Sequence, residues 1–111
     1  MNKIIFPVNE IANQAYLKFE KEYRGNDSEV KFELDLIYGY KGTLYKFHAD
    51  FAVQFELIET DWSDEEGKII YQRIIHDISA DFDSLRDMCD NVVSCEIPAD
   101  EIYKKLEYYL N

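Results

Sequence analysis

Basic residues are scarce in this sequence, and their scarcity restricts the partners that the chain can have. It holds 12 lysines and arginines against 23 aspartates and glutamates, a net charge of −11 at pH 7. Nucleic-acid binding depends on lysine and arginine side chains that neutralise phosphates. We therefore expect no direct binding of nucleic acid, and we expect the partner to be a protein with a basic surface.

Long apolar runs are missing as well. No stretch approaches the roughly 20 apolar residues that a membrane helix needs. The apolar part of residues 1–8 is too short for a signal peptide, since Asn9 and Glu10 follow at once. We expect no membrane association and a cytoplasmic location. There Cys89 and Cys95, the only cysteines, are expected to be reduced thiols, with a Cys89–Cys95 bridge as the less favoured alternative.

No motif specifies a reaction or a cofactor. His48 and His76 lack a third ligand at a spacing diagnostic of zinc, and no nucleophile elbow lies near them. The acidic stretch from Asp61 has Glu66 and Gln72 where a calcium loop requires glycine and a bidentate glutamate. The glycines are too scattered for a phosphate-binding loop: Gly25, Gly39, Gly42 and Gly67. We expect no catalytic residue, no metal and no cofactor.

What the sequence does contain is a long alternating stretch, residues 43–60. Its odd positions are apolar: Tyr45, Phe47, Ala49, Phe51, Val53, Phe55 and Leu57. Its even positions include Lys46, His48, Asp50, Gln54 and Glu56. This period of two predicts a strand with one buried and one solvated face in an antiparallel sheet.

The length of this strand predicts a bend. Residues 45–57 at ~3.3 Å each would span about 43 Å, whereas a compact domain of this size is roughly 34 Å across. We predict a bend around residues 48–50, with a hairpin there as the alternative.

The segments before this strand are predicted from similar patterns. Residues 1–8 form a short lead or edge strand, and Asn9 is expected to cap a first helix that ends near residues 25–27. Residues 30–38 alternate as a strand, and residues 39–42 form a glycine-bracketed hairpin turn. The apolar spacing of the helix also fits a strand in part. Its inward positions are Ile11, Ala12, Ala15, Tyr16, Phe19 and Tyr23.

After the long alternating strand, residues 61–67 are predicted to form an acidic loop. Residues 68–78 are predicted to form a third strand, for which a helix is the alternative. Ser79 is predicted to cap a second helix, and Pro98 to lie in the first turn of the last helix. The second helix would bury Phe82, Leu85, Met88, Cys89 and Val92, and the last Ile102, Leu106 and Leu110.

These elements predict one domain, residues 1–111, of the α+β class. It is an antiparallel sheet of three or four strands, one of them long and bent, with helices packed on one face.

The negative charge is concentrated in one part of the sequence. Residues 1–46 hold seven acids and seven bases, so the whole of the −11 comes from residues 47–111. We predict that the acidic loop and the outer side of the second helix form a partner-binding surface, with Trp62 as its apolar anchor. Packing at the edge of the core is the alternative for Trp62. The predicted contact residues are Asp61, Trp62, Asp64, Glu65, Glu66, Asp81, Asp83, Asp87 and Asp90.

The leading interpretation is a small non-enzymatic binding protein. It would inhibit a basic nucleic-acid-handling enzyme or toxin by presenting carboxylates in place of phosphates. An immunity protein and a phage anti-defence inhibitor, such as an anti-CRISPR protein, are objects of this kind. The alternatives are a homo-oligomeric structural or chaperone-like module, possibly a homodimer, a hydrolase that uses His48 and Asp50, and charge that serves solubility alone.

Overall fold

The computed structural model describes residues 4–23 and 28–111, which form two helices and an antiparallel sheet. The predicted α+β class is therefore confirmed. In chain order the elements are helix α1 (Val8–Glu22), strands β1 (Glu29–Tyr40), β2 (Thr43–Ser63), β3 (Ile69–Phe82) and β4 (Arg86–Asp87), and helix α2 (Ala99–Leu110).

The central strand of the sheet is β2, with β1 on one side and β3 on the other. The predicted hairpin between β1 and β2 is confirmed. Its turn residues Lys41 and Gly42 have φ of 49° and 81°, because a tight turn that follows the strand twist needs positive φ at both central positions. The register runs without a shift from Tyr40 opposite Thr43 to Glu29 opposite Gln54. Strand β4 adds a short pairing at Tyr45 and Lys46.

The predicted buried face of β2 is also confirmed. Phe47, Phe51 and Phe55 are each 2% exposed, which requires them to point to one side of the sheet. Phe51 stacks on Phe32 of β1 with ring centroids 5.2 Å apart, and Phe55 meets Phe19 of α1 at 5.6 Å. Both helices pack on this face. The helix residues buried there are Ile11, Ala12, Ala15, Phe19, Ile102, Leu106 and Leu110.

The long strand is accommodated by the shape of the molecule. The extents are 56 × 20 × 20 Å and the radius of gyration is 17.0 Å, against about 13 Å for a compact domain of this length. The assumption of a compact domain was wrong, and the register is regular at residues 48–50, where we predicted the bend. The irregularities against β3 lie between Gln54 and Phe55 and between Glu59 and Ser63.

Strand β1 pairs with β2 only as far as Gln54, so the last part of β2 pairs with β3 alone. We call residues 58–72 the arm. It begins and ends at the register partners Ile58 and Gln72. Its exposed side chains and its two-stranded construction distinguish it from the body of the domain.

The predicted second helix does not form. Ser79 lies within β3, opposite Ala52, and the strand continues to Phe82. Residues 83–98 contain no helix. Of the five residues predicted to face inward, Leu85 is buried and Phe82 is half-buried, but Cys89 is exposed, and Met88 and Val92 are 50% and 59% exposed. Phe82 is held in the strand by its ring contacts with Phe47 and Phe51, each at 6.0 Å.

The helix ends differ from the predictions in detail. Helix α1 begins at Val8 directly after Pro7, so Asn9 lies inside the helix and is not its cap. Residues 4–7 are not a strand, and the predicted end at residues 25–27 lies outside the described residues. The last helix, α2, forms near its predicted position, but Pro98 is its N-cap and not a residue of its first turn, since the helix begins at Ala99.

Candidate partner-binding surface

The solvated face of the sheet carries carboxylates from three strands. Residues directly opposite one another in an antiparallel pair point to the same face, so burial of the aromatic face places the intervening polar residues on the other. We call the resulting surface the acidic face. Its carboxylates belong to Glu29, Glu33, Asp35, Asp50, Asp77, Asp81 and Asp83.

One row of the acidic face consists of carboxylates alone. Asp50 on β2 lies opposite Glu33 on β1 and opposite Asp81 on β3. All three are exposed, and adjacent strands are about 4.8 Å apart. Among the described residues, no lysine or arginine forms an ion pair with any of the three. Asp50 does have an ion-pair distance of 3.6 Å to Nε2 of His48, so the carboxylates of the row without any cationic neighbour in the described chain are those of Glu33 and Asp81.

A shallow groove of about 540 Å³ runs beside this row. The small residues Ala52 and Ser79, which are register partners, leave room next to Asp50 and Asp81. Lys31, the register partner of Ala52, also lines the groove, and its Nζ is 3.6 Å from a carboxylate oxygen of Glu29. A long basic side chain of a partner could enter this groove and reach the carboxylates.

The next row centres on His48. Its Nδ1 is 2.5 Å from Oδ1 of Asp35, while its Nε2 is 3.6 Å from Asp50 and 3.8 Å from Asp83. The hydrogen bond with Asp35 raises the pKa of His48, and the charges of Asp35, Asp83 and Asp50 act in the same direction against the effect of burial.

Of the nine predicted contact residues, Asp81 and Asp83 lie on the acidic face. They do so as residues of β3 and of the segment after it, not as one side of a helix. The backbone N–H of Asp83 donates to the carbonyl of His48 at 3.1 Å, which extends the pairing by one residue beyond Phe82.

Asp87 and Asp90 are used within the chain. The carboxylate of Asp87 accepts the backbone N–H groups of Cys89 and Asn91, both at 2.9 Å. The carboxylate of Asp90 lies 2.5 Å from Nζ of Lys46. The backbone bond from Asn91 lowers the pKa of Asp87, and the bond from Lys46 lowers that of Asp90. These two carboxylates hold the turn after β4, and their charges are partly compensated.

The remaining predicted residues lie on the arm. Asp61 and Trp62 belong to β2, so the predicted loop is shorter than residues 61–67. Trp62 is 75% exposed, so the alternative in which it closes the edge of the core is wrong.

The turn at the tip of the arm is held by Asp64, whose carboxylate accepts the backbone N–H groups of Glu66 at 2.9 Å and Lys68 at 2.8 Å. Glu65 and Glu66 are exposed beside it.

The predicted set is thus divided between two places. Trp62 follows Asp50 by twelve positions on the same strand, which corresponds to roughly 40 Å along β2. The acidic face and the tip of the arm are therefore separate surfaces.

Sequence reasoning missed the β1 and β2 part of the acidic face. Asp50 is a polar position of the alternating stretch, but neither it nor Glu33 or Asp35 of the preceding strand belongs to the predicted contact set. The sequence could have indicated this pairing, because the predicted turn at residues 39–42 implies the register of the strand before it against the strand after it. Counting back from Tyr40 opposite Thr43 places Glu33 opposite Asp50.

Within residues 4–23 and 28–111, no group of three or more histidine, cysteine, aspartate or glutamate side chains is arranged to hold a metal ion. Neither described helix is long and apolar enough to cross a membrane. Cys89 and Cys95 are both free thiols.

Comparisons of the chain with known protein families, with curated proteins and with solved structures find no match. The geometry of the surface is therefore the basis for the function proposed below.

Proposed function

We propose that this protein is a non-enzymatic inhibitor that binds a basic nucleic-acid-handling enzyme, such as a nuclease or a nuclease toxin, through the acidic face. The observation that carries the proposal is the row of Glu33, Asp50 and Asp81, three opposed carboxylates without a lysine or arginine partner among the described residues, although His48 lies 3.6 Å from Asp50. An immunity protein and a phage anti-defence inhibitor are the settings that such a surface fits.

Repulsion among the three carboxylates of the row lowers the stability of the unbound protein. Like charges directly opposite one another on a sheet destabilise it, and packing of the buried face does not require carboxylates at these exposed positions. Bound arginine or lysine side chains of a partner would reverse the sign of this contribution. Hydrogen bonds between guanidinium groups and carboxylates are among the stronger polar interactions in proteins.

The arrangement also resembles the charge pattern of a nucleic acid. Carboxylates two residues apart on one strand, such as Glu33 and Asp35, are spaced by about 6.7 Å. Asp81 and Asp83 repeat this spacing on the other side of the sheet, and Asp50 on β2 lies between the two pairs, so the face presents closely spaced negative charge on a sheet. A cleft whose basic side chains bind phosphates would meet carboxylates at similar intervals, and the complex would compete with nucleic acid.

Affinity capture from an extract of the native host tests this proposal. The wild-type protein is compared as bait with the triple variant Glu33→Gln, Asp50→Asn and Asp81→Asn. A control bait carries Glu10→Gln, Glu101→Gln and Glu107→Gln, which remove the same charge from exposed helix positions.

We expect wild-type and control baits to recover a basic nucleic-acid-handling enzyme, and the triple variant to lose it. Wild-type protein added to that enzyme should inhibit its action on DNA or RNA, less so at high salt. Equal recovery by the triple variant, or full activity of the saturated enzyme, would refute the proposal.

A further inference from the structure

The free edge of β3 in the arm has a sequence that is complementary to itself. Residues 69–75 read Ile-Ile-Tyr-Gln-Arg-Ile-Ile, which is close to a palindrome about Gln72. If two copies of this segment pair antiparallel about a two-fold axis at Gln72, isoleucine meets isoleucine at both ends and Tyr71 meets Arg73. We propose that two copies of this protein associate in this way, with the β3 edges forming one continuous sheet.

The edge is available for such pairing. Strand β3 is the last strand on its side of the sheet, so within the described part of the chain no strand lies beyond it. The carbonyl of Ala80 accepts a bond from the hydroxyl of Tyr103 at 3.4 Å, so helix α2 protects the edge near that end. The carbonyl of Ile70 accepts a bond from Oγ1 of Thr60 at 2.5 Å, but Thr60 belongs to the paired strand β2 and not to the free side. Among the described residues, no side chain bonds to the backbone of Ile69, Tyr71 or Gln72 from the free side. An edge strand of this kind presents unpaired N–H and C=O groups to another strand.

The exposed side chains of residues 69–75 also favour a second copy of the protein as the partner of this edge. Ile69, Ile70 and Tyr71 are 48%, 44% and 57% exposed, and a two-stranded ribbon is at best marginally stable in water by itself. Pairing of two arms would give four adjacent strands. It would also bury part of the exposed apolar surface of each copy.

Charge distinguishes this edge from the other edge of the arm. Residues 69–75 contain no carboxylate although the chain has a net charge of −11. Strand β2 carries Glu59 and Asp61 in the same region, so two β2 edges brought together would place like charges side by side. A second copy is therefore a suitable occupant for the β3 edge and an unsuitable one for the β2 edge.

In the paired arrangement, Tyr71 of one copy would lie at a groove on the surface of the other copy. Arg73 is held by Glu20 at 3.0 Å and by the carbonyl of Leu110 at 3.0 Å, and it lies beside a groove of about 420 Å³. In the paired arrangement Tyr71 of each copy lies opposite Arg73 of the other, on the side of the sheet that holds this groove. Contact between a tyrosine ring and a guanidinium group is favourable.

Disulfide trapping at the axis tests the register. In a background of Cys89→Ser and Cys95→Ala, the variant Gln72→Cys is oxidised and compared with Glu65→Cys at the tip of the arm. Directly opposed residues have Cα atoms about 4.5–5.5 Å apart, within the range of a disulfide, whereas two copies of residue 65 would be far apart. We expect covalent dimer from Gln72→Cys in about tenfold excess over Glu65→Cys.

Sedimentation equilibrium of the unmodified protein provides the independent measurement. We expect a species of twice the 13.2 kDa chain mass. Ile70→Glu should convert it to monomer, and Trp62→Glu, an equally drastic change on the β2 strand of the arm, should leave it dimeric. A monomer at about 0.1 mM chain, or cross-linking of Glu65→Cys as fast as that of Gln72→Cys, would overturn the proposal. If Ile70→Glu does not fold, the cross-linking comparison still decides.

Discussion

Asp50 and Asp81 are direct register partners across β2 and β3, so two carboxylates occupy opposed positions on the exposed face of the sheet. Glu33 lies opposite Asp50 on its other side. Paired strands normally place opposite charges or apolar groups at such positions, because these pairs stabilise the sheet. The presence of an acidic residue at all three opposed positions is the feature that links the fold to the proposed inhibitory function.

The repulsion between these carboxylates is open to direct measurement. Asp81→Asn removes one charge from the row and should raise the free energy of unfolding by about 0.2–1 kcal/mol, measured by urea denaturation at low salt. The gain should shrink as salt is added, because the pair is exposed to solvent.

Asp77→Asn is the matched control for this change. Asp77 is exposed on the same strand but lies opposite the neutral Gln54. Its replacement should change the unfolding free energy less than Asp81→Asn does. Equal effects of the two variants would show that opposition across the strands is not the cause.

Aromatic residues of β2 differ in burial, so replacing a buried one and an exposed one by alanine should change the free energy of unfolding by very different amounts. Phe51 is 2% exposed and touches both Phe32 and Phe82, whereas Trp62 is 75% exposed on the arm. Phe51→Ala should lower the free energy of unfolding by roughly 3–5 kcal/mol. Trp62→Ala should change it by no more than about 0.5 kcal/mol.

Urea denaturation of both variants checks this prediction. Loss of native circular dichroism by Phe51→Ala without denaturant would agree with it, since such a loss is a large part of the stability of a small domain. Similar midpoints for the two variants would contradict the assignment of the buried face.

The environment of His48 predicts a pH dependence. The hydrogen bond with Asp35 raises the pKa of His48 above its ordinary value of 6.5. A group whose pKa is raised by folding stabilises the fold fully below the unfolded-state pKa, and this contribution disappears as the pH rises through the folded-state pKa. The protein should therefore lose stability above about pH 6.5 by an amount that depends on His48.

NMR titration of the imidazole signals measures this pKa directly. We expect Asp35→Asn to move the pKa of His48 back toward its ordinary value, and His48→Gln to flatten the stability profile over the same pH interval. A titration midpoint of His48 at or below 6.5 in the wild-type protein would contradict the prediction.

Local patterns in the sequence predicted much of the sheet. The alternation in residues 30–38 and 43–60 is strong because each strand has one buried face, so every second position had to be apolar. The turn at residues 39–42 was recognised from its glycines, and Gly42 with φ of 81° shows why one is needed there. The existence of helix α2 and its buried residues Ile102, Leu106 and Leu110 were predicted from the apolar spacing, whereas Pro98 lies one position before the first turn.

The segment after residue 78 was mispredicted because its apolar residues fit two periods at once. Phe82 and Leu85 are three apart, as in a helix, but Ile78, Ala80 and Phe82 alternate, as in a strand. Contacts of Phe82 with β2 decided between them. The Asp87 carboxylate then binds the N–H groups of Cys89 and Asn91, which competes with a helical turn.

By itself, the sequence determined that the chain is acidic, that its central strand buries one side, and that its carboxylates lie on the other. Which carboxylates are neighbours was decided only by the tertiary structure. Glu33, Asp50 and Asp81 are far apart in the chain and meet because antiparallel pairing sets the register of β1 and β3 against β2. Local side-chain preferences act over a few residues, whereas this register depends on the packing of the whole sheet.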